Sequence, residues 1–246
     1  MKNLIKKQIK KIFYRIKFRY LTTKYFLDKP VTLYHPLPWM GINHAKRAKG
    51  TKIRFDLINR ILNDNKGSVF DFGCAEGFFS ISLAEKGYNV LSLEAKKDRY
   101  EIVKLVSKIL GLNNISFLNM KVDENTIKYF PVFNYTLCLA VWHHWVRYFG
   151  FENAENILIT LWSKTTKYMF FETGLSELPK EYGMPKIEGD YDKWLVNYLE
   201  SILPNSEISV IGQAPAFPPE QFASMKTKHD DESFLRNIYC IKKINI

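Results

Sequence analysis

The sequence predicts an α/β protein with a doubly wound, mostly parallel sheet of seven strands. From residue 68 onward, apolar runs of strand length alternate with segments of helix length, which is typical of parallel sheets. The last two strand-like runs are joined by a long loop without a helix and indicate an antiparallel hairpin near one edge. A glycine turn follows the first strand-like run, as in Rossmann-like folds. One basic helix is expected at the amino terminus.

The expected basic helix is an amphipathic extension over residues 1–28. The segment has no acidic residue before Asp28, and apolar residues recur at steps of three and four. They are Ile5, Ile9, Ile12, Ile16 and Tyr20, with lysines on the remaining surface. No apolar run is long enough to span a bilayer, and no small-residue cleavage site follows. Residues 1–26 either lie on an anionic membrane surface, pack on the domain with a solvated basic face, or bind nucleic acid, the weakest of the three.

Residues 29–50 form an approach segment, and the main domain is expected over residues 51–246. Three prolines close together in "PVTLYHPLPW" disfavour a helix there. A helix is predicted after Gly50, in "TKIRFDLINRILNDN".

The main domain then alternates. The predicted strands are "SVFDF", "NVLSLEA", "ISFLNM", "YTLCLAVW", "KYMFFET", "EISVIGQ" and "RNIYCIKKI". The predicted helices between them are "GFFSISLAEKG", "DRYEIVKLVSKILGL", "AENILITLWSKT" and "DYDKWLVNYLESILP".

The composition indicates a folded protein with a hydrophobic core and a preference for an anionic partner. The chain has 246 residues and is 46% hydrophobic, which excludes a disordered chain. Its net charge of +11 favours nucleic acid, an anionic membrane or a phosphorylated substrate, although a lysine-rich proteome gives the same balance. The three cysteines have no paired spacing, so we expect reduced thiols in a cytoplasmic protein and no metal site.

The stretch "VFDFGCAEGFF" places an acid and a glycine turn at the end of the first strand. Gly73 and Gly77 allow a tight turn and a close approach of the backbone to a ligand. Glu94 ends the next strand, 21 positions after Gly73, where a carboxylate binds ribose hydroxyls. An adenosine-containing cofactor is therefore expected.

Charge selects the cofactor. A dinucleotide site presents helix N–H groups to a pyrophosphate. Here Asp71 and Glu76 would repel phosphates, and they suit the ammonium and sulfonium groups of S-adenosylmethionine. The alternative is an ordinary structural turn that happens to carry an acid.

The same residues resemble a known family. "VFDFGCAEGFFSISLAEKG" is similar to the first motif of class I S-adenosylmethionine-dependent methyltransferases, and "VLSLEA" resembles their second strand. "LCLAVWHHW" resembles their fourth strand and the segment after it. The run "CAEGFFS", the double histidine and "FFETG" are most similar to the methyltransferase domain of the bifunctional enzymes that terminate O-antigen polysaccharides. Those enzymes also carry a kinase domain, for which this chain has no room.

The resemblance implies an adenine-binding loop after the third strand, in "NMKVDEN". There Asp123 would bind the adenine amino group, with Lys121 and Val122 beside the ring; an ordinary turn residue is the alternative for Asp123. Phe78 either borders the cofactor or belongs to the core.

"AVWHHW" carries the candidate chemistry, since it follows the fourth strand. Transfer of a methyl group to oxygen requires loss of a proton, which His143 or His144 can accept near neutral pH. Adjacent side chains rarely share one space, so the other histidine packs or caps a helix. Catalysis by proximity alone is the alternative.

Three further polar residues complete the candidate site. Glu172 ends the fifth strand and is a second candidate for proton transfer. Arg54 could pair with the carboxylate of the cofactor's methionine part or with a substrate phosphate, as could Arg47; solvent exposure is the alternative for each.

Three functions stay open. The first is O-methylation of a cell-surface glycan, or of its lipid-linked or nucleotide-sugar precursor, by a cytoplasmic enzyme at the inner membrane face. The second is RNA methylation, and the third is a catalytically silent membrane-binding or protein-binding partner. The oligomeric state and the acceptor do not follow from the sequence.

Overall fold

The computed structural model describes residues 2–28, 33–45, 47–63, 65–174, 182–216 and 235–244, and the structural statements below concern those residues. The strands are β1 (Ser68–Phe72), β2 (Asn89–Leu93), β3 (Ile115–Leu118), β4 (Phe133–Leu139), β5 (Thr165–Glu172), β6 (Ser206–Pro215) and β7 (Leu235–Lys243). The helices are α1 (Lys2–Asp28), α2 (Ala48–Leu62), α3 (Phe78–Glu85), α4 (Lys97–Leu110), α5 (Glu124–Ile127), α6 (Trp142–Phe149), α7 (Phe151–Ser163) and α8 (Tyr191–Ile202), with a 3₁₀ turn at Pro38–Met40.

The seven strands form one sheet in the order β3-β2-β1-β4-β5-β7-β6. Strands β1 to β5 are parallel, and β7 is antiparallel to both β5 and β6. The predicted sheet with its antiparallel carboxyl-terminal pair is confirmed. The chain moves outward from β1 to β3 and then returns to place β4 on the other side of β1. Ligands bind at such a switch point, beyond the carboxyl ends of the strands.

Helices cover both faces of the sheet and divide the core in two. In β1, Val69 belongs to the core cluster that includes residues of α2, α3 and α4, whereas Phe70 belongs to the cluster that includes residues of α6, α7 and α8. Successive side chains of a strand point to opposite faces, so a strand covered on both sides is apolar throughout. This explains why "YTLCLA" is apolar except for Thr136.

Local boundaries differ from the predictions. Helix α2 begins at Ala48, inside the expected approach segment. Strand β4 ends at Leu139, because Ala140 adopts a left-handed φ of 58° and α6 follows. The helix α5 was not predicted; it is one turn long and depends on the cap by Asp123. The long loop predicted between β6 and β7 lies largely outside the described residues.

Helix α1 packs on α4 through the face opposite the predicted apolar stripe. Phe18 is only 3% exposed there, and Lys17 pairs with Glu101 of α4 at 3.7 Å. The stripe itself faces away from the domain; Ile9, Ile12, Ile16 and Tyr20 are 59–65% exposed, and Ile5 lies outside the described side chains. No helix in the described part of the chain is both long and apolar enough to cross a membrane.

Candidate active site

A cavity of about 700 Å³ opens at the carboxyl ends of the central strands. Asp71 and Gly73 enter it from β1, Glu94 from β2, and Glu172 from β5. This is the switch point of the sheet, and the volume is that of an ordinary small-molecule site. The sheet thus brings together residues that are separated by a hundred positions in the sequence.

The turn after β1 depends on backbone that glycine favours. Gly73 has a φ of 76°, and a Cβ there would lie 2.8 Å from Cγ2 of Val141 across the cavity wall. Gly77 has a φ of 85°, but a Cβ there would lie 2.0 Å from Cγ2 of Val103 in α4. Gly73 therefore lies at the cavity, whereas Gly77 serves the close contact between α3 and α4.

Glu94 joins the turn after β1 to the turn after β2. Its Oε2 accepts the backbone N–H of Ala75 at 2.9 Å, and its Oε1 accepts that of Lys96 at 2.8 Å. Each carboxylate oxygen has a further lone pair. Glu94 is buried except where it lines the cavity, so a ligand with two adjacent hydroxyls can meet it there.

Asp71 forms a chain of hydrogen bonds beneath the cavity. Ser80 donates to its Oδ2 at 2.5 Å, and Ser92 donates to Ser80 at 2.6 Å. Burial raises the pKa of the Asp71 carboxyl to about 7, against the lowering effect of the Ser80 hydrogen bond. A cationic group in the cavity would favour the ionised form and draw the proton away.

Glu76 does not face the cavity, which corrects the sequence argument about repulsion of phosphate. Its two oxygens accept the backbone N–H groups of Tyr34 and His35, each at 3.1 Å. Arg99 lies 3.6 Å from the same carboxylate. Glu76 thus fixes the segment 33–45 over the turn, and only Asp71 and Glu94 present negative charge to a ligand near β1 and β2.

The loop after β3 contributes Met120, Lys121 and Val122 to the cavity. Asp123 does not line it. Its Oδ1 accepts hydrogen bonds from the Thr126 hydroxyl and from the backbone N–H groups of Thr126 and Asn125. These hydrogen bonds, those from Thr126 first, lower the pKa of Asp123. The side chain caps α5, as the turn alternative anticipated.

Phe78 lies in the core, and its neighbour Phe79 lines the cavity instead. The ring of Phe78 packs against Trp39 and Phe55, with centroids 5.7 and 5.9 Å away. The sequence suggested both positions for Phe78; the structure selects the core.

The two histidines at the start of α6 have separate surroundings. Nδ1 of His143 accepts the N–H of Gly174 at 3.1 Å, which places its proton on Nε2, and it lies 3.1 Å from the hydroxyl of Thr173. Burial lowers the pKa of His143 well below 6.5. His144 is exposed and lines the cavity; partial burial, then Arg147 and Lys96, lower its pKa. His144 is thus the neutral imidazole that a substrate can reach.

Glu172 is held by arginines and is poorly suited to proton transfer. Arg54 donates to both of its oxygens, at 2.6 and 2.7 Å, and Arg47 donates at 2.9 Å. Arg236 lies 3.6 Å away. Burial alone would raise the pKa of Glu172, but Arg54 and then Arg47 outweigh it and hold the pKa far below its ordinary value. Glu172 stays ionised and organises the arginines.

Sequence reasoning missed several cavity residues in the segment after α1. Tyr34 lies between the guanidinium groups of Arg47 and Arg99, each 5.3 Å from its ring centroid. His35 is buried beside Phe79 and lines the same wall. Aromatic residues in the proline-rich stretch were the available signal, but nothing local shows which of them turn inward.

The lining of the cavity combines three carboxylates, one of them Glu172 among its arginines, with an excess of basic side chains. Asp71 and Glu94 lie near the first glycine turn, while Arg47, Arg54, Lys96, Arg99 and Lys121 line other parts of the wall. Among the residues that the structure describes, no cluster of histidine, cysteine, aspartate and glutamate could hold a metal ion. The arrangement suits a ligand with both a cationic and an anionic end.

Two curated relatives are methyltransferases. The O-antigen chain terminator bifunctional methyltransferase/kinase WbdD of Escherichia coli is 25% identical over 132 residues, 53% of this chain. The matched region makes up 18% of WbdD, so the chain spans about a fifth of that relative's length. The ubiquinone biosynthesis O-methyltransferase of Rickettsia canadensis is 25% identical over 122 residues, 49% of this chain and 48% of that protein. No protein-family model matches the sequence.

Solved structures share the fold. The bifunctional kinase-methyltransferase WbdD aligns with a TM-score of 0.65 at 19% identity, over 91% of this chain and 45% of that one. Magnesium protoporphyrin IX methyltransferase from Synechocystis PCC 6803, solved with bound S-adenosylmethionine, aligns with a TM-score of 0.56 at 15% identity, over 79% of this chain and 80% of that one. The chain therefore has the class I S-adenosylmethionine-dependent methyltransferase fold, and its sequence and structural relatives are methyltransferases.

Proposed function

We propose that this chain is an S-adenosylmethionine-dependent O-methyltransferase. The observation that carries the proposal is the cavity at the switch point, with Asp71 and Glu94 beside the glycine turn that follows β1. These carboxylates fit a cofactor with ribose hydroxyls and positive charge. The methyltransferases that resemble the chain in sequence and fold support the same conclusion.

Different residues of the cavity would bind different parts of the cofactor. Glu94 would bind the ribose hydroxyls, and Asp71 would balance the positive charge of the methionine part. Lys121 and Val122 would border the adenine ring, whereas Asp123 caps α5 and does not line the cavity. Arg47, rather than Arg54, would meet the methionine carboxylate. Each guanidinium nitrogen of Arg54 already donates to Glu172 or to the carbonyl of Pro215, whereas Nε of Arg47 has no hydrogen-bond partner among the described residues.

His144 would accept the proton of the acceptor hydroxyl. When bound, S-adenosylmethionine supplies the methyl group, and its carbon–sulfur bond breaks as the new carbon–oxygen bond forms. His144 is exposed, and its lowered pKa keeps the ring neutral near neutral pH, so it is in the form that can accept a proton. His143 holds the start of α6 against Thr173 and Gly174, and so positions His144 without contacting the substrate.

The acceptor we propose is a cell-surface glycan or its lipid-linked or nucleotide-sugar precursor. Lys96, Arg99 and Lys121 line the cavity and favour an acceptor with phosphate groups. The sequence similarity to the O-antigen chain terminator supports a glycan as the class of acceptor.

Calorimetry with S-adenosylmethionine tests the cofactor site. We expect saturable binding, weakened by about 1–3 kcal/mol in Glu94→Gln, because a charged hydrogen-bond acceptor is lost. The matched control is Glu200→Gln, an exposed glutamate on α8. No binding by the wild-type protein would instead support the catalytically silent alternative, and equal affinity in Glu94→Gln would remove the ribose assignment.

Transfer of labelled methyl groups tests the acceptor. We expect product with nucleotide sugars or lipid-linked glycans and little with RNA. The excess positive charge of the chain supports the RNA alternative. Methylation of RNA that falls steeply with salt, together with no glycan product, would overturn the glycan proposal and leave the cofactor proposal standing.

A further inference from the structure

Helix α1 has two opposite apolar faces, of which only one is used by the domain. Tyr14, Phe18 and Thr22 belong to the inner face; Phe18 and Thr22 are buried, and Lys108 of α4 lies over the ring of Tyr14. The outer face carries five large apolar side chains, each about 60% exposed: Ile9, Ile12, Phe13, Ile16 and Tyr20. They recur at three-residue and four-residue steps, so they form one continuous stripe, here called the outer stripe.

Basic residues flank the outer stripe on both sides. On an α-helix, Lys6 and Lys10 fall on one flank and Arg15 and Arg19 on the other, and all four are exposed. No acidic residue occurs in the chain before Asp28. A helix with an apolar stripe between two basic flanks matches a surface that is apolar in its interior and anionic at its boundary.

A groove extends the outer stripe toward the domain. It holds about 490 Å³ between α1 and residues 38–42, with Arg15 and Arg19 at its side and Trp39 and Met40 among its apolar lining. Ile12 and Ile16 belong to both the groove and the stripe. Aromatic and arginine side chains beside an apolar floor suit the level of lipid headgroups.

We propose that the outer stripe of α1 and this groove dock the protein on a membrane surface rich in anionic lipid. The apolar side chains enter the boundary of the acyl chains, and the flanking lysines and arginines meet the headgroup phosphates. A second copy of the chain fits less well, because a symmetric contact would set the basic flanks of two helices against each other. A nucleic acid would meet the basic flanks but leave the five apolar side chains unused.

One short segment, residues 34–40, connects the proposed docking face to the cavity. Tyr34 and His35 line the cavity, while Trp39 and Met40 of the same segment line the groove. A docked protein would therefore hold the wall of the cavity close to the lipid surface. Docking itself does not depend on the proposed methyl transfer.

Flotation of the full chain with vesicles tests the proposal. Phosphatidylcholine vesicles are compared with vesicles that also contain phosphatidylglycerol. We expect binding to the anionic vesicles that exceeds binding to the neutral ones by about tenfold or more. Ile12→Glu with Ile16→Glu should reduce binding to anionic vesicles by about tenfold or more, since it removes apolar contact and adds repulsion.

Two further variants separate the contributions. Tyr129→Glu with Val132→Glu makes the same change of charge at exposed apolar residues outside α1, and it should bind like the wild type. Arg15→Gln with Arg19→Gln should lower binding to anionic vesicles and leave the weak binding to neutral vesicles unchanged. Calorimetry with S-adenosylmethionine and the helical circular dichroism signal verify that every variant is folded.

Four outcomes would overturn the proposal. The wild type could fail to float with anionic vesicles, or bind neutral vesicles equally well. The Ile12→Glu, Ile16→Glu variant could bind anionic vesicles as the wild type does. Sedimentation could show a dimer that this variant dissociates while neither protein binds vesicles, which would make a second copy the occupant of the outer stripe.

Discussion

At the scale of single residues, the raised pKa of Asp71 makes stability depend on pH, and it would make binding of a cationic ligand depend on pH as well. Its pKa of about 7 in the folded protein lies above the ordinary 3.8, so the native state holds this proton to higher pH than the unfolded chain does. The free energy of unfolding therefore falls as pH rises from about 4 to about 7. The ionised carboxylate that suits a cationic ligand is the form that the ligand-free protein disfavours.

We expect Asp71→Asn to raise the stability of the ligand-free protein at pH 8, by up to about 4 kcal/mol, while it weakens S-adenosylmethionine binding. In the wild type, affinity for the cofactor should increase as pH rises through about 7, and the variant should lose that dependence. Chemical denaturation and calorimetry across pH 5 to 8 measure both effects. A variant that is less stable at pH 8 would show that the hydrogen bonds of the carboxylate outweigh the cost of burying its charge.

The histidine pair separates chemistry from positioning. His144→Gln should lower the turnover rate by about 10²–10⁴, with little change in cofactor affinity. The wild-type rate should rise with pH through an apparent pKa below 6.5, because the neutral ring is the active form and its pKa is lowered. His143→Gln should lower the melting temperature and keep that pH profile. If His144→Gln retains near wild-type turnover, proximity alone is the better account of catalysis.

At the scale of elements, the contact between α3 and α4 depends on Gly77. Gly77→Ala combines an unfavourable positive φ with a Cβ 2.0 Å from Cγ2 of Val103. Gly111 at the end of α4 has a similar φ of 77° and open space around it, so Gly111→Ala measures the backbone effect alone. The pair of glycines therefore separates backbone strain from steric overlap.

We expect Gly111→Ala to destabilise the fold by about 1 kcal/mol and Gly77→Ala by about 2–4 kcal/mol. Adding Val103→Ala to Gly77→Ala should recover part of the difference by removing the clash. Denaturant titrations of the four proteins measure the effects. Equal losses for the two glycine variants would show that α4 shifts freely and that overlap contributes nothing.

At the scale of the whole molecule, Glu172 connects distant parts of the chain. It joins Arg54 of α2, Arg47 just before α2, and Arg236 of β7 to the end of β5. Because its pKa is lowered in the folded state, Glu172 contributes stability above its ordinary pKa of 4.5, and that contribution is lost as pH falls below it.

Glu172→Gln leaves buried guanidinium groups without their shared carboxylate, so we expect a loss of about 3–5 kcal/mol in the free energy of unfolding at pH 7. Glu207→Gln breaks an exposed pair with Lys242 and should change stability little. Thermal and denaturant unfolding compare the two. An unchanged midpoint for Glu172→Gln would mean that the arginines are neutralised by other groups.

Helix α1 contributes both to the core and to the outer stripe. Phe18 is buried against the domain, so removing the whole helix would expose core as well as the outer stripe. Substitutions confined to the outer stripe leave the packed face unchanged, and they separate membrane docking from folding.

Patterns along the sequence predict the order of the seven strands and of the longer helices, the glycine turn after β1 and the acids at the ends of β1 and β2, but not the short helices α5 and α6. Those features follow from periodicity and turn chemistry among residues that are close along the chain. The local pattern also indicated His143 and His144 as candidate site residues, because they follow a strand that ends at the ligand-binding edge of the sheet.

Tertiary structure alone decided which of these side chains face the cavity. In the packed structure, Glu76 accepts hydrogen bonds from residues 34 and 35, and Phe78 is buried. Asp123 caps α5, and His144 lines the cavity. The arginine clamp on Glu172 joins residues 118 and 125 positions apart. The direction of a side chain at the cavity depends on partners that come together only when the sheet and its helices have packed. These partners are distant in the sequence, so spacing along the chain does not predict them.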